Sequence, residues 1–416
     1  MTLSLTQFFK KYPQFLLTSS AVQISGIGSA LTLIVVYAEL NRLGAGAFEY
    51  ALAFAFGVLP GLFTSHLSRR LSTRLSMPHI LILCEILGAI SLSLPLAGLM
   101  NGNIPLLLAI EAIGSLTAGL VVPIQDTYMR VNIEEDDLAK ACEVSNWVFC
   151  GIILIGQVLG TACYLGLGSR VFLALDLVSY LIAAVLIGHA SRTYPRCFDS
   201  PSTMSEPDAR NRARWSFKRL DDPRKMAFAL GPFLALVCTP CMAILPIIGG
   251  RYSLEVHVGF FALSPVLLLI LAKTFGQMSG PVALGAVQRR SKVPEERLIG
   301  LCLLVFLVLY GLAFQVSSLI ASLVLVFSAH VSSNMVFMLA STAFTKNFDA
   351  TEMMDASPAR YRLILLAMAG GSLWAGWVGQ EQGPLAVVSI SALVLLGIGV
   401  TLTLLKRSQS GESVHA

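Results

Sequence analysis

The chain has 416 residues, 55% of them hydrophobic and only 13% charged, with a formal net charge of +5. Soluble domains carry about 25% charged residues, and a soluble fold has no place for so many apolar helices, so this composition excludes a soluble globular protein and points to an integral membrane protein. The positive balance does not mark a nucleic-acid partner, because the basic residues fall between apolar runs, where they set topology.

Apolar run length and charged or Gly/Pro breaks place twelve helices along the chain. The first, Gln14–Ala38, follows a basic segment with Lys10 and Lys11 and no small-residue cleavage site. It is therefore expected to remain as a membrane helix and not to be removed as a signal peptide. Helix 2 is expected over Ala47–His66, helix 3 over Pro78–Met100, helix 4 over Ile104–Tyr128, helix 5 over Leu138–Leu167 and helix 6 over Val171–Ala190. A polar run, residues 191–225, interrupts the apolar pattern and carries nine positive side chains, from Arg192 and Arg196 to Arg224 and Lys225. Helices 7 to 12 follow at Met226–Gly249, Val258–Gly285, Leu298–Gln315, Leu319–Phe344, Leu363–Gly379 and Pro384–Leu405, with a loop expected over residues 346–362.

Both apolar blocks are long enough for about six spans of some 20 residues each. The expected fold is therefore all-α, with twelve transmembrane helices in two six-helix halves: residues 1–190, a linker at 191–225, residues 226–405 and a tail at 406–416. Of the 29 Lys and Arg residues, all but Arg42, Arg170, Arg251 and Lys273 fall in one alternating set of segments. The positive-inside rule puts that set, and with it both termini, in the cytoplasm. Two repeated helical halves joined by a basic loop are an architecture of secondary transporters.

Most of the eight cysteines lie inside apolar spans, and the Cys238-x-x-Cys241 pair reads as buried small hydrophobes. Nothing matches a phosphate-binding GxxxxGK[ST] loop, a zinc pattern or a GxSxG elbow, and the six histidines are scattered. No cofactor, metal or enzyme activity is expected.

From Pro123 to Gly160 the chain carries RVNIEEDDLAKACEVSN, with Glu134, Glu135, Leu138, Ala141 and Asn146 in a recognisable order, and later FLALDLVSYLIAA with Asp176. These stretches and the twelve-helix plan resemble the major facilitator superfamily, and within it the bacterial drug- and siderophore-exporter branch around the enterobactin exporter and macrolide efflux pumps. The resemblance implies an inner-membrane exporter of a small organic molecule, driven by protons through alternating access; one chain supplies both halves, so a monomer is expected to suffice. It also implies that helices 1, 4, 7 and 10 line the cavity and helices 2, 5, 8 and 11 meet between the halves. The chain departs from the pattern twice. The loop after helix 2, GLFTSHLSRRLSTRLS, keeps Gly61, Arg69, Arg70 and Arg74 but lacks the usual Asp. Helix 5, GIILIGQVLGTACY, keeps Gly151, Gly156 and Gly160 but has Gln157 for Pro and Thr161 for the second Gly of the antiporter signature. Both departures bear on gating and proton antiport. An uptake symporter for a small metabolite is the alternative they leave open, and a non-transporting membrane scaffold or sensor a more distant one.

A charge within a membrane helix costs about 2.5–3.5 kcal/mol or more, so each such residue is a functional candidate. Glu111, Lys273 and His330, with Gln23 and Asn334, are the candidates for substrate binding and proton coupling. At 1.5 Å per residue, Lys273, His330 and Glu111 fall about 18, 20 and 25 Å from the basic side. Glu111 suits a proton-coupling or cation-binding carboxylate, or a structural hydrogen bond. Lys273 suits an anionic substrate, or an ion pair with Glu143. His330 can titrate near neutral pH or serve packing. Arg69, Arg70, Arg74, Asp126, Glu143, Gly156, Gln157 and Gly160 are the gating candidates. Glu85 and Asp176, on helices expected at the periphery, are assigned structural roles.

Overall fold

The computed structural model describes residues 3–45, 47–72, 74–198, 216–253, 256–258, 261–291 and 293–397. Within the central run, Arg210, Arg212 and Arg214 lie outside the described residues, as do the end of expected helix 12 and the tail.

Prolines open several helices, because a fixed φ near −65° suits the first turn and the missing N–H has no intrahelical partner there. Pro13 opens α2 (Pro13–Arg42) after the short α1 (Leu5–Lys11), whose N-cap Ser4 forms a reciprocal capping box with Gln7. Pro60 divides expected helix 2 into α3 (Ala47–Val58) and α4 (Pro60–Ser72). Expected helix 3 likewise forms α5 (Met77–Ser91) and α6 (Ser93–Asn101), and α7 (Ile104–Asn132) is capped by Asn103, whose side chain accepts from Leu106 N at 3.2 Å. Expected helix 5 runs through α8 (Leu138–Gly151) and a π-helical segment, Ile152–Leu159, into α9 (Gly160–Thr193). Gly168, at φ 75° and ψ 169°, interrupts α9 and separates the fifth membrane span from the sixth; a side chain there would be strained in this backbone region.

After α10 (Asp222–Ala243) and α11 (Leu245–Gly249), the chain departs from the expected start of helix 8. Val258 and Phe261–Leu263, expected in that helix, are not helical. Instead β1 (Val256–Val258) and β2 (Phe261–Leu263) pair antiparallel, with Val256 opposite Leu263. The helix, α12 (Pro265–Arg290), begins only where Ser264 caps Leu267 N and Pro265 forms the first turn. Then come α13 (Glu295–Ala313), α14 (Leu319–Asn347), α15 (Ala350–Glu381) and α16 (Pro384–Gly397).

α15 is a second correction, since residues 350–362, expected as loop, are helical. Asp349 Oδ1 accepts from Thr351 N at 2.8 Å and Glu352 N at 2.7 Å, and Asp349 N donates to Glu352 Oε2 at 3.3 Å. This capping box starts a helix that polar composition conceals.

Ten helical stretches among the described residues are long and apolar enough by themselves to cross a bilayer. The α3–α4 pair and α16 account for the second and twelfth helices of a twelve-helix, all-α membrane fold. Large apolar side chains such as Val185 (70% exposed), Ile320 (75%) and Leu393 (66%) point outward, as lipid contact requires.

The chain forms two compact units. The first comprises Met1–Pro232, Val256–Leu263 and Ala340–Ala369; the second comprises Phe233–Glu255, Ser264–Leu339 and Gly370–Ala416. In the first, α2 and α5 pack along α9, and α4 packs along α7. Its interior includes a cluster of Val36, Leu40, Ala53 and Leu107, and another in which Phe228 of α10 meets Phe344, Phe348 and Met353. The second unit buries Phe306, Tyr310, Ala329 and Ile248.

Candidate functional site

Ser25, Ser29 and Thr32 recur at intervals of four and three residues on α2, so they share one helix face. In the first unit this face meets Glu85 on α5 and Asp176, Ser179 and Tyr180 on α9. Ser25 Oγ donates to Glu85 Oε1 at 3.3 Å, and the Ser29 and Tyr180 hydroxyls lie 3.0 Å apart. Asp176, fully buried, accepts hydrogen bonds from the Thr32 hydroxyl and, at 3.2 Å, from the Ser179 hydroxyl. Gly28 permits this approach: a Cβ there would collide with Asp176 Oδ1 and Ser179 Oγ.

Between these helices and α7 lies a cavity of about 60 Å³ whose lining includes Ser29, Thr32, Glu111, Thr117, Asp176 and Tyr180. A water needs roughly 10–15 Å³ on this measure, so the space suits a few waters. Asp176, expected in a peripheral structural role, thus lines the same cavity as Glu111. Glu85 joins the adjoining hydrogen-bond network, and its Oε2 is buried without a hydrogen-bond partner. The sequence signals that could have located this grouping are the Ser25–Ser29–Thr32 face and the Asp176–Tyr180 pair, one helical turn apart.

Gln23 lies on the same helix, with its side chain against Gly151 of α8. Farther along, a Cβ on Gly156 would lie 2.5 Å from Ala30 Cβ and 3.1 Å from Ile27 O, and one on Gly160 would lie 2.6 Å from Leu31 Cδ2. The π-helical segment carrying Gly156 and Gln157 therefore lies directly against α2. Widened turns of this kind are frequent at functional sites.

Lys273, His330 and Asn334 belong to the second unit. His330 is fully buried; its Nε2 lies 2.8 Å from the Tyr310 hydroxyl, and the Phe306 ring meets it edge-on at 5.6 Å. Gly276, one turn after Lys273 on α12, lets α14 approach at Phe327 and His330, and Gly280 does the same at Asn334.

The basic ends of the helices form a second grouping within the first unit. Arg69 Nη1 pairs with Asp355 Oδ1 at 2.5 Å, and Arg224 Nη1 with Glu352 Oε1 at 2.6 Å. Arg130 Nε donates to Phe348 O at 2.9 Å, and Ser357 Oγ donates to Asp126 Oδ2 at 2.5 Å. Arg360, 9% exposed, places its guanidinium 4.2 Å from the centre of the Phe344 ring, where cation–π attraction is effective. Glu143 pairs with Lys140 at 2.8 Å, one helical turn away. Arg70 lies in the last turn of α4, and Arg74 is exposed just beyond it. Lys11 pairs with Glu134 at 2.7 Å and Asp137 at 2.8 Å; these hydrogen bonds, Asp137's first, raise the Lys11 pKa.

The sequence profile of the Major Facilitator Superfamily matches residues 15–357. No curated protein sequence matches the chain. Among solved structures, the fold is similar to that of the human organic anion transporter MFSD10 (TETRAN), at 15% identity and TM-score 0.68, over 93% of this chain and 98% of that one. It is also similar to FucP, a transporter seen in the outward conformation, at 16% identity and TM-score 0.63, over 92% and 96% of the two chains. A second structure of FucP, the E. coli fucose:proton symporter, shares 14% identity at TM-score 0.64, over 93% and 97%.

Proposed function

The chain belongs to the major facilitator superfamily, and from that premise we propose that it is a proton-coupled secondary transporter exporting a small siderophore-like or drug-like organic molecule across the bacterial inner membrane. The observation that carries the reading is Glu111 on a polar cavity inside a membrane-spanning bundle. A carboxyl group held there is costly unless it serves a purpose, and reversible protonation is one that a transport cycle can use. In this reading residues 1–190 and 226–405 alternate access about the 191–225 linker, and both termini are cytoplasmic. The Arg69–Asp355 and Asp126–Ser357 contacts then form the gate on the cytoplasmic side. Gly156, Gln157 and Gly160 give helix 5 a deformable contact with α2, and Lys273, His330 and Asn334 supply polar groups for the substrate. One chain suffices as the working unit.

Gln157 and Thr161, in place of the Pro and second Gly of the antiporter signature, favour a second reading, proton-coupled uptake. The deciding experiment uses purified full-length protein in liposomes under an imposed pH gradient, with siderophores and drugs as probes. Glu111→Gln is expected to abolish substrate-dependent proton movement while leaving the fold intact. Unchanged coupled flux in Glu111→Gln would remove Glu111 from the mechanism.

A further inference from the structure

We infer that the close of the central run, residues 216–225, positions the cytoplasmic gate: it grips the turn between α14 and α15 and so holds α15 where its gate contacts form. This deepens the gating reading and rests on it. Two contacts make the grip. Leu220, 8% exposed, is buried in the cluster with Phe228, Phe344, Phe348 and Met353, and the Phe217 ring lies 5.4 Å from that of Phe228. Arg224 Nη1 lies 2.6 Å from Glu352 Oε1, while the other carboxylate oxygen of Glu352 accepts from Asp349 N at 3.3 Å. One side chain, Glu352, therefore completes the capping box of α15 and anchors Arg224. Asp221 Oδ1 accepts from Arg224 N at 3.1 Å, which fixes Arg224 in the first turn of α10.

The same turn also meets the N-terminal helices. Phe348 is fully buried in the cluster that holds Leu220, and its carbonyl accepts from Arg130 Nε of α7 at 2.9 Å. Within two turns of the start of α15, Asp355 meets Arg69 of α4 and Ser357 meets Asp126 of α7. All of these residues belong to the first compact unit. A helix start is fixed by its cap and by what its first turn packs on. Freeing Glu352 and Met353 therefore lets residues 349–357 fray and carries Asp355 and Ser357 away from their partners. A tether that only limits the separation of two halves needs neither a buried Leu220 nor an ion pair to Glu352. The central run thus acts at its second end, through residues contiguous with α10.

Hydrogen exchange read by mass spectrometry on the purified full-length protein tests this without a transported substrate. Arg224→Met keeps the stem and removes the charge. It should speed exchange at residues 349–357 by about 1.5- to 5-fold, the scale of a half-exposed ion pair. Leu220→Ala should speed it by about 10-fold or more. Positioning predicts a further effect that capping alone does not. Exchange also rises at residues 66–72 of α4 and 126–130 of α7, and Arg224→Lys restores protection at all three segments. A specific protease site placed within residues 202–212 and cut after folding should leave all three unchanged, because the grip is made on the α10 side of the cut. Unchanged exchange in Arg224→Met and Leu220→Ala, or faster exchange confined to 349–357, overturns the inference. So does loss of protection on cutting, which would make the run a tether. If Leu220→Ala fails to fold, the two Arg224 variants and the cut still decide the question. Flux, which decides the export reading, is not measured, so failure of the one is distinguishable from failure of the other.

Discussion

Arg69 and Asp355 stand 2.5 Å apart, yet the Arg69 side chain is 56% exposed. An exposed ion pair is worth about 0.2–1 kcal/mol. A double-mutant cycle through Arg69→Ala and Asp355→Ala should give a coupling energy in that range by thermal melting, and the exchanged pair Arg69→Asp with Asp355→Arg should recover most of it. A coupling of zero would remove the pair from the gate. Lys11 makes a prediction of different form. Its pKa is raised, so its contribution is fully present below the unfolded value of about 10.4 and declines only as pH rises through the folded value. The melting deficit of Lys11→Met, measured against wild type, should be constant from about pH 7 to 9 with respect to Lys11 ionisation and shrink under stronger alkali. Neither partner set was legible in the sequence. Arg69 follows helix 2 in the sequence pattern, but the polar composition around Asp355 reads as loop and gives no sign of a partner helix.

Helix 5 shows the same limit one scale up. Its glycines were visible as close-packing positions, and Gln157 stood out as a departure from the antiporter signature. The π-helical segment over Ile152–Leu159 was not visible, because the choice between i→i+4 and i→i+5 hydrogen bonding depends on what the helix packs against. Gly156→Val should cost about 1–3 kcal/mol by overpacking against Ala30 and Ile27, read as a lowered melting temperature in detergent. An unchanged melting temperature would mean that α2 and the π-helical segment separate freely. The β1–β2 pair after α11 and the early start of α15 escaped the apolar pattern for a shared reason. Short strands carry little periodic signal, and the Asp349–Glu352 capping box precedes a turn too polar to read as membrane.

For the whole molecule, the proposed export direction rests on the resemblance to the exporter branch, and a proton gradient can drive either export or uptake. In inverted membrane vesicles acidified inside, an exporter driven by proton antiport should accumulate the probe molecule, whereas an uptake symporter should expel it. Accumulation that survives collapse of the gradient by a protonophore would instead indicate a carrier not coupled to protons.

The membrane class, the positions of nearly all spans and the asymmetric placement of basic residues were determined by the sequence alone. The length and polarity needed to cross or border a bilayer are properties of contiguous residues, each legible where it occurs. The tertiary structure alone decided which buried polar groups meet. Thr32 reaches Asp176 across 144 residues of chain and Asp126 reaches Ser357 across 231. Such pairings depend on how helices are rotated and packed against one another. That arrangement arises from side-chain complementarity over the whole bundle, and no local stretch of sequence records it.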